Sequence, residues 1–102
     1  MARYRVGRTL GRTIYDDDTL IGMMDTPELG ALLVDALNRF DPAAEPRPPT
    51  VYYFNDSELG RVILNDDEIM IGVMDSDALA TLAAYALDAH ERLRLAEGGH
   101  GG

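Results

Sequence analysis

The sequence predicts an α+β fold, a tandem repeat of one βββα unit with six mostly antiparallel strands and two helices. The segments LGRTI at 10–14 and IGMMD at 21–25 return as LGRVI at 59–63 and IGVMD at 71–75. Each copy then continues into apolar residues at helical spacing. Matching order and spacing indicate a tandem duplication, and two equal units complete one core most simply about an internal pseudo-two-fold axis.

The domain boundaries follow from the length of the repeat and from the prolines between its copies. A unit of about 45 residues rarely buries enough surface to fold alone, so we expect residues 1–97 to form a single domain. Its two repeats are 1–40 and 50–97. Four of the nine residues in 41–49 are proline, which predicts an extended Pro-rich linker. The glycine-rich end, 98–102, is predicted to be a flexible tail.

The first unit begins with three short strands. In residues 4–6 a tyrosine and a valine flank an arginine, which is typical of a strand with one buried face. Residues 12–15 and 20–24 are predicted to form a hairpin. The aspartates at 16–18 favour a tight turn between them, because Asp accepts local backbone hydrogen bonds and tolerates the left-handed conformation.

A helix is predicted directly after the third strand. Thr26 can cap its amino end, Pro27 suits its first position, and Glu28 favours the positive end of the helix dipole. Apolar residues then recur along one stripe: Leu29, Leu32, Leu33, Ala36, Leu37 and Phe40. The stripe predicts that one side of this helix packs on the sheet.

The second unit repeats these elements with some changes. Its first strand, 51–54, contains three consecutive aromatic residues and no obvious solvent face, so we expect it to lie closer to the sheet centre than its counterpart. The hairpin of 61–64 and 69–74 is one residue longer, which requires a changed turn or a bulge. Ser76 can cap the second helix, which is predicted to run through Leu93.

The third strands are apolar on both faces. Strict alternation places Ile21 and Met23 on one face, together with Ile71 and Val73. The helix after each strand covers only one face, so the second apolar face needs a cover. We expect a homodimer that shares either this apolar sheet face, with these four residues at its interface, or the alanine-rich side of the last helix. The alternative is a monomer whose halves cover each other.

Composition excludes several classes of function. The formal charge of −9 repels nucleic-acid phosphates, so direct nucleic-acid binding is not expected and basic partners are favoured. The chain has no cysteine, hence no disulfide and no thiolate zinc site. No apolar run reaches the roughly 20 residues that span a bilayer, and no signal-peptide core follows Met1. A cytoplasmic protein without membrane contact is expected.

Acidic residues gather at the tips of the two predicted hairpins: Asp16, Asp17, Asp18, Asp66, Asp67 and Glu68. Such clusters can bind Ca²⁺ or Mg²⁺, which prefer several oxygen ligands. Neither cluster has the glycine and glutamate spacing of an EF-hand loop, and successive turn carboxylates point apart. We therefore predict no metal and no cofactor, and we interpret the tips as binding surfaces for a partner.

Two arginines also repeat. Arg12 and Arg61 each follow a glycine, and together they could form an anion or nucleotide site. Because Asp25 and Asp75 repeat equally, pairing within the chain is the preferred interpretation. The glycines before the arginines precede no helix, so no phosphate loop is predicted.

The two histidines have no recognisable catalytic companions. His90 lies on the second helix and His100 in the tail. Neither has a repeated Asp, Glu or Ser at a spacing recognisable from catalytic or zinc-binding motifs. Nothing therefore indicates a catalytic triad or a zinc site. We predict no catalytic residue and expect a protein that is not an enzyme.

The stretch IGMMDTPELGALLVDALN resembles small acidic hypothetical proteins of actinobacteria and their phages. In these proteins a strand ends near Asp-Thr-Pro-Glu and leads into an amphipathic helix that ends Ala-Leu-Asn. The matching residues are Asp25, Thr26, Pro27, Glu28, Ala36, Leu37 and Asn38, and the second copy departs at Ser76, Asp77 and Asp88. The resemblance covers both units. It implies a phage or prophage gene expressed in a host cytoplasm, and no catalytic or binding residues.

These observations favour a non-enzymatic acidic protein-interaction module, and in the phage setting one that acts on an unidentified host protein. Two alternatives stay open. A DNA-mimicking inhibitor of a nucleic-acid-binding protein needs carboxylates in rows spaced like phosphates, whereas these gather at two tips and along helices. A small-ligand or cation-binding protein would show a thermal shift with nucleotides or Ca²⁺.

Overall fold

The computed structural model describes residues 3–8, 11–41, 50–55, 58 and 60–98. Its elements are β1 (Tyr4–Val6), β2 (Thr13–Asp16), β3 (Thr19–Met24), α1 (Pro27–Arg39), β4 (Tyr53–Asn55), β5 (Val62–Asn65), β6 (Met70–Met74) and α2 (Asp77–Gly98). The predicted α+β fold is confirmed, and each unit has the order strand, strand, strand, helix. Residues 42–49 of the predicted linker and 99–102 of the predicted tail lie outside the described residues.

One six-stranded sheet contains both units, in the order β1-β2-β3-β6-β5-β4 with antiparallel neighbours throughout. The units meet where β3 pairs with β6. The register of this pairing is reciprocal, and its pairs are Gly22 with Met74, Met23 with Val73, and Met24 with Gly72. A two-fold relation between the units requires such reciprocity. The internal pseudo-two-fold axis itself stays a prediction.

The first strands of the two units form the edges of the sheet. Because the third strands meet at the centre, β1 and β4 are outermost. The prediction that the second unit's first strand lies nearer the centre is therefore wrong. Its aromatic residues divide between two faces: Tyr53 packs against the core, whereas Phe54 lies on the opposite face with 37% of its surface exposed.

Both third strands contain a β-bulge. Residues 14 and 15 of β2 pair with 22 and 20 of β3, so Ile21 is an extra residue, and the second hairpin repeats this irregularity around Ile71. Each bulge turns its isoleucine into the core, where only 4% of the residue is exposed. Placing Ile21 and Ile71 on one face with Met23 and Val73 was therefore wrong, because a bulge shifts the two-residue alternation.

Both helices begin where the sequence predicts. The Thr26 hydroxyl accepts a hydrogen bond from Leu29 N at 3.1 Å, and Ser76 Oγ accepts one from Leu79 N at 3.2 Å. These caps satisfy backbone N–H groups that have no partner within the helix. The second helix extends to Gly98, so it includes the first residue of the predicted tail.

Both helices pack on the same face of the sheet and enclose the core. α1 contacts β1, β2 and β3, α2 contacts β4, β5 and β6, and the helices contact each other. The largest fully buried side chains are Ile14, Met24, Leu33, Ile63, Met74 and Leu87. Within the described residues no helix covers the other face of the sheet.

Each helix forms side-chain hydrogen bonds to the backbone at the first strand of its own unit. In α1 they come from the last turn, and in α2 from the middle of the helix. Asn38 Oδ1 accepts a hydrogen bond from Tyr4 N at 2.9 Å, and Asn38 Nδ2 donates one to Tyr4 O at 3.1 Å. In α2, Asp88 Oδ1 accepts from Val51 N at 2.8 Å and from Tyr52 N at 2.6 Å. These contacts position both edges of the sheet.

Candidate functional site

The candidate site is the sheet face opposite the helices, called here the open face. Strand pairing and alternation place ten residues on it: Arg5, Thr13, Tyr15, Leu20, Met23, Phe54, Val62, Leu64, Met70 and Val73. Leu20 and Met70 are each 50% exposed, and Met23 is 40% exposed. Of the predicted interface residues, Met23 and Val73 lie on this face.

An apolar outer face is unusual for an antiparallel sheet. Such a sheet normally alternates apolar residues toward the core with polar residues toward water. Here Met23 and Val73 form the centre of the outer face, and Leu20 and Met70 lie on either side along the strands. At about 4.8 Å per strand spacing, six strands span roughly 24 Å. The exposed apolar residues at the centre of this face make it a candidate binding surface.

A hollow of about 150 Å³ lies near the middle of the open face. Met23, Met70 and Val73 line it, and Arg12 forms part of its wall. Methionine side chains are flexible and polarisable, so they adapt to the shape of a group that enters. The centre of the open face can thus accept an apolar side chain of a partner.

The repeated arginines do not pair with the repeated aspartates as predicted. Arg12 Nη1 donates a hydrogen bond to the backbone carbonyl of Asp25 at 3.2 Å and forms no ion pair with its carboxylate. Among the described residues no ion pair joins Arg61 to Asp75 either. The backbone carbonyl that follows β3 accepts this hydrogen bond in place of the carboxylate.

The first acidic tip, residues Asp16, Asp17 and Asp18, is partly neutralised by arginines near β1. Arg3 holds Asp16 through two hydrogen bonds, Nε to Oδ1 at 2.7 Å and Nη2 to Oδ2 at 2.8 Å. Hydrogen bonding from this guanidinium lowers the pKa of Asp16. Arg5 Nη2 lies 4.0 Å from the fully exposed Asp18 carboxylate. Asp17 is exposed and its backbone φ is 54°, in the left-handed region.

The second acidic tip, residues Asp66, Asp67 and Glu68, differs from the first because its carboxylates have no ion pairs among the described residues. All three residues are exposed. Asn65 Oδ1 accepts hydrogen bonds from the backbone N–H groups of Asp67 at 2.9 Å and Ile69 at 3.0 Å. Glu68 completes the turn at a φ of 63°. This longer turn accommodates the extra residue that the sequence predicts in the second hairpin.

The two tips lie at opposite ends of the sheet. Since β3 and β6 are antiparallel and pair at Met23 and Val73, each tip is about six residues from that pair, in opposite directions. One residue on each side belongs to a bulge, so at about 3.3 Å for each of the remaining residues the tips are roughly 33 Å apart. The structure brings the acidic residues together within each tip, and it keeps the two tips apart.

A histidine–aspartate pair lies between the helices, beside a groove of about 280 Å³. His90 Nε2 is 3.0 Å from Asp35 Oδ2, and Arg39 Nε donates to Asp35 Oδ1 at 3.1 Å. The hydrogen bond from His90 lowers the pKa of Asp35. His90 Nδ1 is buried without a hydrogen-bond partner among the described residues. The described lining of the groove contains no hydroxyl or thiol that this pair could activate.

The Asp35–His90 pair joins positions that the repeat does not equate. In the second unit the counterpart of Asp35 is Tyr85, and in the first unit the counterpart of His90 is Phe40. A search for repeated companions therefore misses the pair. At each of these two positions one helix has a polar residue where the other has an aromatic residue. This difference between the repeats could have indicated the pair from the sequence.

Comparison of the chain with protein-family models, curated proteins and solved structures finds no match. Neither described helix offers a stretch that is long and apolar enough to cross a bilayer. Within the described ranges, no three His, Asp or Glu side chains lie close enough together to hold a metal ion. The open face and the acidic tips are the features from which a function can be inferred.

Proposed function

We propose that this protein is a non-enzymatic interaction module that binds another protein through its open face. One observation carries the proposal: the helices cover one face of the sheet, while Leu20, Met23, Met70 and Val73 are exposed on the other. Burying apolar surface contributes about 25 cal/mol per Å², so this face favours a protein partner over water. The methionines at its centre allow it to adapt to that partner.

The acidic tips select the kind of partner that approaches. A net charge of −9 attracts basic proteins, and carboxylates lie at both ends of the open face. Charges at the rim of an interface mainly raise the association rate and its salt sensitivity. The expected partner is a cytoplasmic protein with an apolar surface and basic groups beside it. In the phage setting that the sequence resemblance implies, this partner belongs to the host.

A DNA-mimicking inhibitor accounts for fewer of these features. A mimic needs rows of carboxylates at the spacing of phosphates, and B-DNA carries one charge per about 1.7 Å of its axis. Here the acidic tips are roughly 33 Å apart, with an apolar face between them. No observation on the described residues specifically favours the cation-binding alternative.

Affinity capture with matched variants tests the proposed function. The baits are the unmodified protein, a face variant (Met23→Asp with Val73→Asp) and a control variant (Leu93→Asp with Leu95→Asp). Leu93 and Leu95 are 52% and 42% exposed on α2, away from the open face. From a lysate of the expressing cells, we expect the first and third baits to retain the same protein. The face variant should retain at least about tenfold less, because buried carboxylates oppose docking.

A second pair of substitutions separates the face from the tips. With the captured partner immobilised, Asp17→Asn together with Asp66→Asn should slow association and weaken its salt dependence. The melting temperature should stay nearly unchanged, because both carboxylates are exposed. Equal capture by the unmodified protein and the face variant would contradict the proposed surface. An unchanged association rate and salt dependence in the tip variant would show that the acidic tips take no part in binding.

A further inference from the structure

The open face allows two copies of this chain to meet without bringing their carboxylates together. Nine of its ten residues are uncharged, and the tenth, Arg5, lies on the outermost strand over the ring of Tyr15. Two molecules that each carry a charge of −9 repel one another through any acidic surface. Contact through the open face leaves the acidic tips at the periphery, in water.

The chain also carries charges of opposite sign that cannot meet within one molecule. The second acidic tip has three exposed carboxylates without an ion pair among the described residues. At the opposite edge of the sheet, Arg5 of β1 lies over the ring of Tyr15 and has a 4.0 Å ion pair with the exposed Asp18. Arg8, which follows β1, has no ion pair among the described residues. The tip belongs to the β5–β6 hairpin, whose strands are three and four spacings from β1.

The dimensions of the sheet bring these charges together in a dimer. Two packed sheets adopt either nearly aligned or nearly perpendicular strand directions. Each tip lies roughly 16 Å from the sheet centre, whereas the edge strands lie only roughly 12 Å from it. When strands cross at right angles, the tips of each copy therefore project past the edge strands of the other. One of the two perpendicular arrangements places the second tip beside β1.

We propose that a second copy of this chain occupies the open face, with its strands roughly perpendicular, so that the second tip of each copy lies beside Arg5 and Arg8 of the other. The proposal rests on the proposed function and adds a copy of the chain as a weak, reversible occupant of the face that binds the basic partner. Met23 and Val73 lie near the two-fold axis of this dimer, and every contact occurs twice. The overlapping faces, roughly 17 Å on each side, bury on the order of 600 Å² in total. This area is about half the lower limit of a standard interface, so we expect the association to be weak and reversible.

Sedimentation equilibrium tests the dimer at concentrations up to about 200 μM, since an interface of this size binds weakly. We expect the mass to approach twice the 11.2 kDa of one chain as concentration rises. The face variant (Met23→Asp with Val73→Asp) should stay monomeric, and the control variant (Leu93→Asp with Leu95→Asp) should dimerise normally. Far-UV circular dichroism confirms that both variants are folded.

Charge reversal tests the arrangement within the dimer. Arg5→Glu with Arg8→Glu should raise the dimer dissociation constant at least about tenfold, and Asp66→Lys with Asp67→Lys should do the same. All four substitutions in one chain should restore most of the affinity, because each copy then offers the reversed pair to the other. Failure of the combined variant to recover would overturn the perpendicular arrangement.

Cross-linking tests the dimer without depending on how the substitutions change the stability of the fold. The chain contains no cysteine, so a single Met23→Cys variant reports only on contacts of that position. Packed sheets lie about 10 Å apart, which is too far for a disulfide, so the reagent is a bismaleimide that spans about 10 Å. We expect rapid cross-linking between copies for Met23→Cys and slow cross-linking for Leu93→Cys. A monomer at all concentrations, or faster linkage through Leu93→Cys, would overturn this inference. If the protein stays monomeric while the face variant loses a captured partner, the proposed function survives without the dimer.

Discussion

Asn38 and Asp88 occupy equivalent places in the two helices, and their different side chains match different edges of the sheet. The first edge offers the N–H and the carbonyl of Tyr4, and an amide satisfies both. The second edge offers two N–H groups, and Arg92 Nε donates from the other side at 2.8 Å. A carboxylate, which only accepts, suits this set of donors. Asp88 is 3% exposed, so its partners matter for stability.

Exchanging the two side chains should therefore destabilise the fold. Asp88→Asn brings an amide donor toward Arg92, and Asn38→Asp brings a carboxylate against the carbonyl of Tyr4. We expect each to lower the free energy of unfolding by about 1 to 3 kcal/mol. Urea unfolding measures the loss, with the exposed Glu97→Gln as a control that should change little. An unchanged midpoint for both variants would show that other contacts hold the edges.

The third strands combine a bulge with a glycine, and together these decide which side chains fill the core. A Cβ at Gly22 would collide with Met74 Sδ and lie 2.9 Å from a backbone carbonyl of β6. A Cβ at Gly72 would collide with Met24 Sδ and lie 3.2 Å from a backbone carbonyl of β3. The two buried methionines thus occupy the space that the glycines leave.

Alanine at these glycines should cost stability by different amounts. A methionine sulfur can move aside, but the backbone of a central strand cannot, and the carbonyl beside Gly22 is the closer of the two. We expect Gly22→Ala to lower the free energy of unfolding by about 2 to 3 kcal/mol and Gly72→Ala by about 1 to 2 kcal/mol. Thermal and urea unfolding check the order. Two variants as stable as the unmodified protein would mean that the β3–β6 contact is loosely packed.

Two pairs of charged or polar side chains connect segments that are distant in the sequence and stabilise the whole fold. Arg3 lowers the pKa of Asp16 and connects the start of the chain to β2. His90 lowers the pKa of Asp35 and connects the two helices. Both carboxyl groups therefore stay charged further into acid when the protein is folded. The net charge of −9 acts in the opposite direction, because repulsion among carboxylates falls as they gain protons.

These two effects predict a stability maximum in mild acid. A carboxyl group whose pKa is lower in the folded state stabilises the fold above its unfolded pKa of about 4, and this stabilisation disappears as the pH falls through the folded value. From about pH 7 to 5, relief of charge repulsion should hold or raise the melting temperature. Below about pH 4 the melting temperature should decline, because the two carboxyl groups lose their stabilising charge. Calorimetry across this range checks the profile. Asp16→Asn with Asp35→Asn should flatten the acid decline, and an equally steep decline would assign it to other carboxyl groups.

The sequence predicted the composition of the candidate site better than its geometry. Met23 and Val73 lie on the exposed face as expected, and the acidic residues form two hairpin tips. Ile21 and Ile71 proved to be core residues, because alternation assumes a regular strand and a bulge breaks it. The unequal neutralisation of the tips could not be foreseen, because it depends on Arg3 meeting Asp16 across two paired strands.

By itself the sequence determined the two βββα units, the caps of both helices and the longer second turn. These features depend on residues within a few positions of one another, and repetition makes them visible. Only the tertiary structure decided that β3 pairs with β6, that both helices cover the same face and that the acidic tips point to opposite ends. Such features arise from contacts between residues about 50 positions apart, whose pairing register is selected by the packing of the complete core.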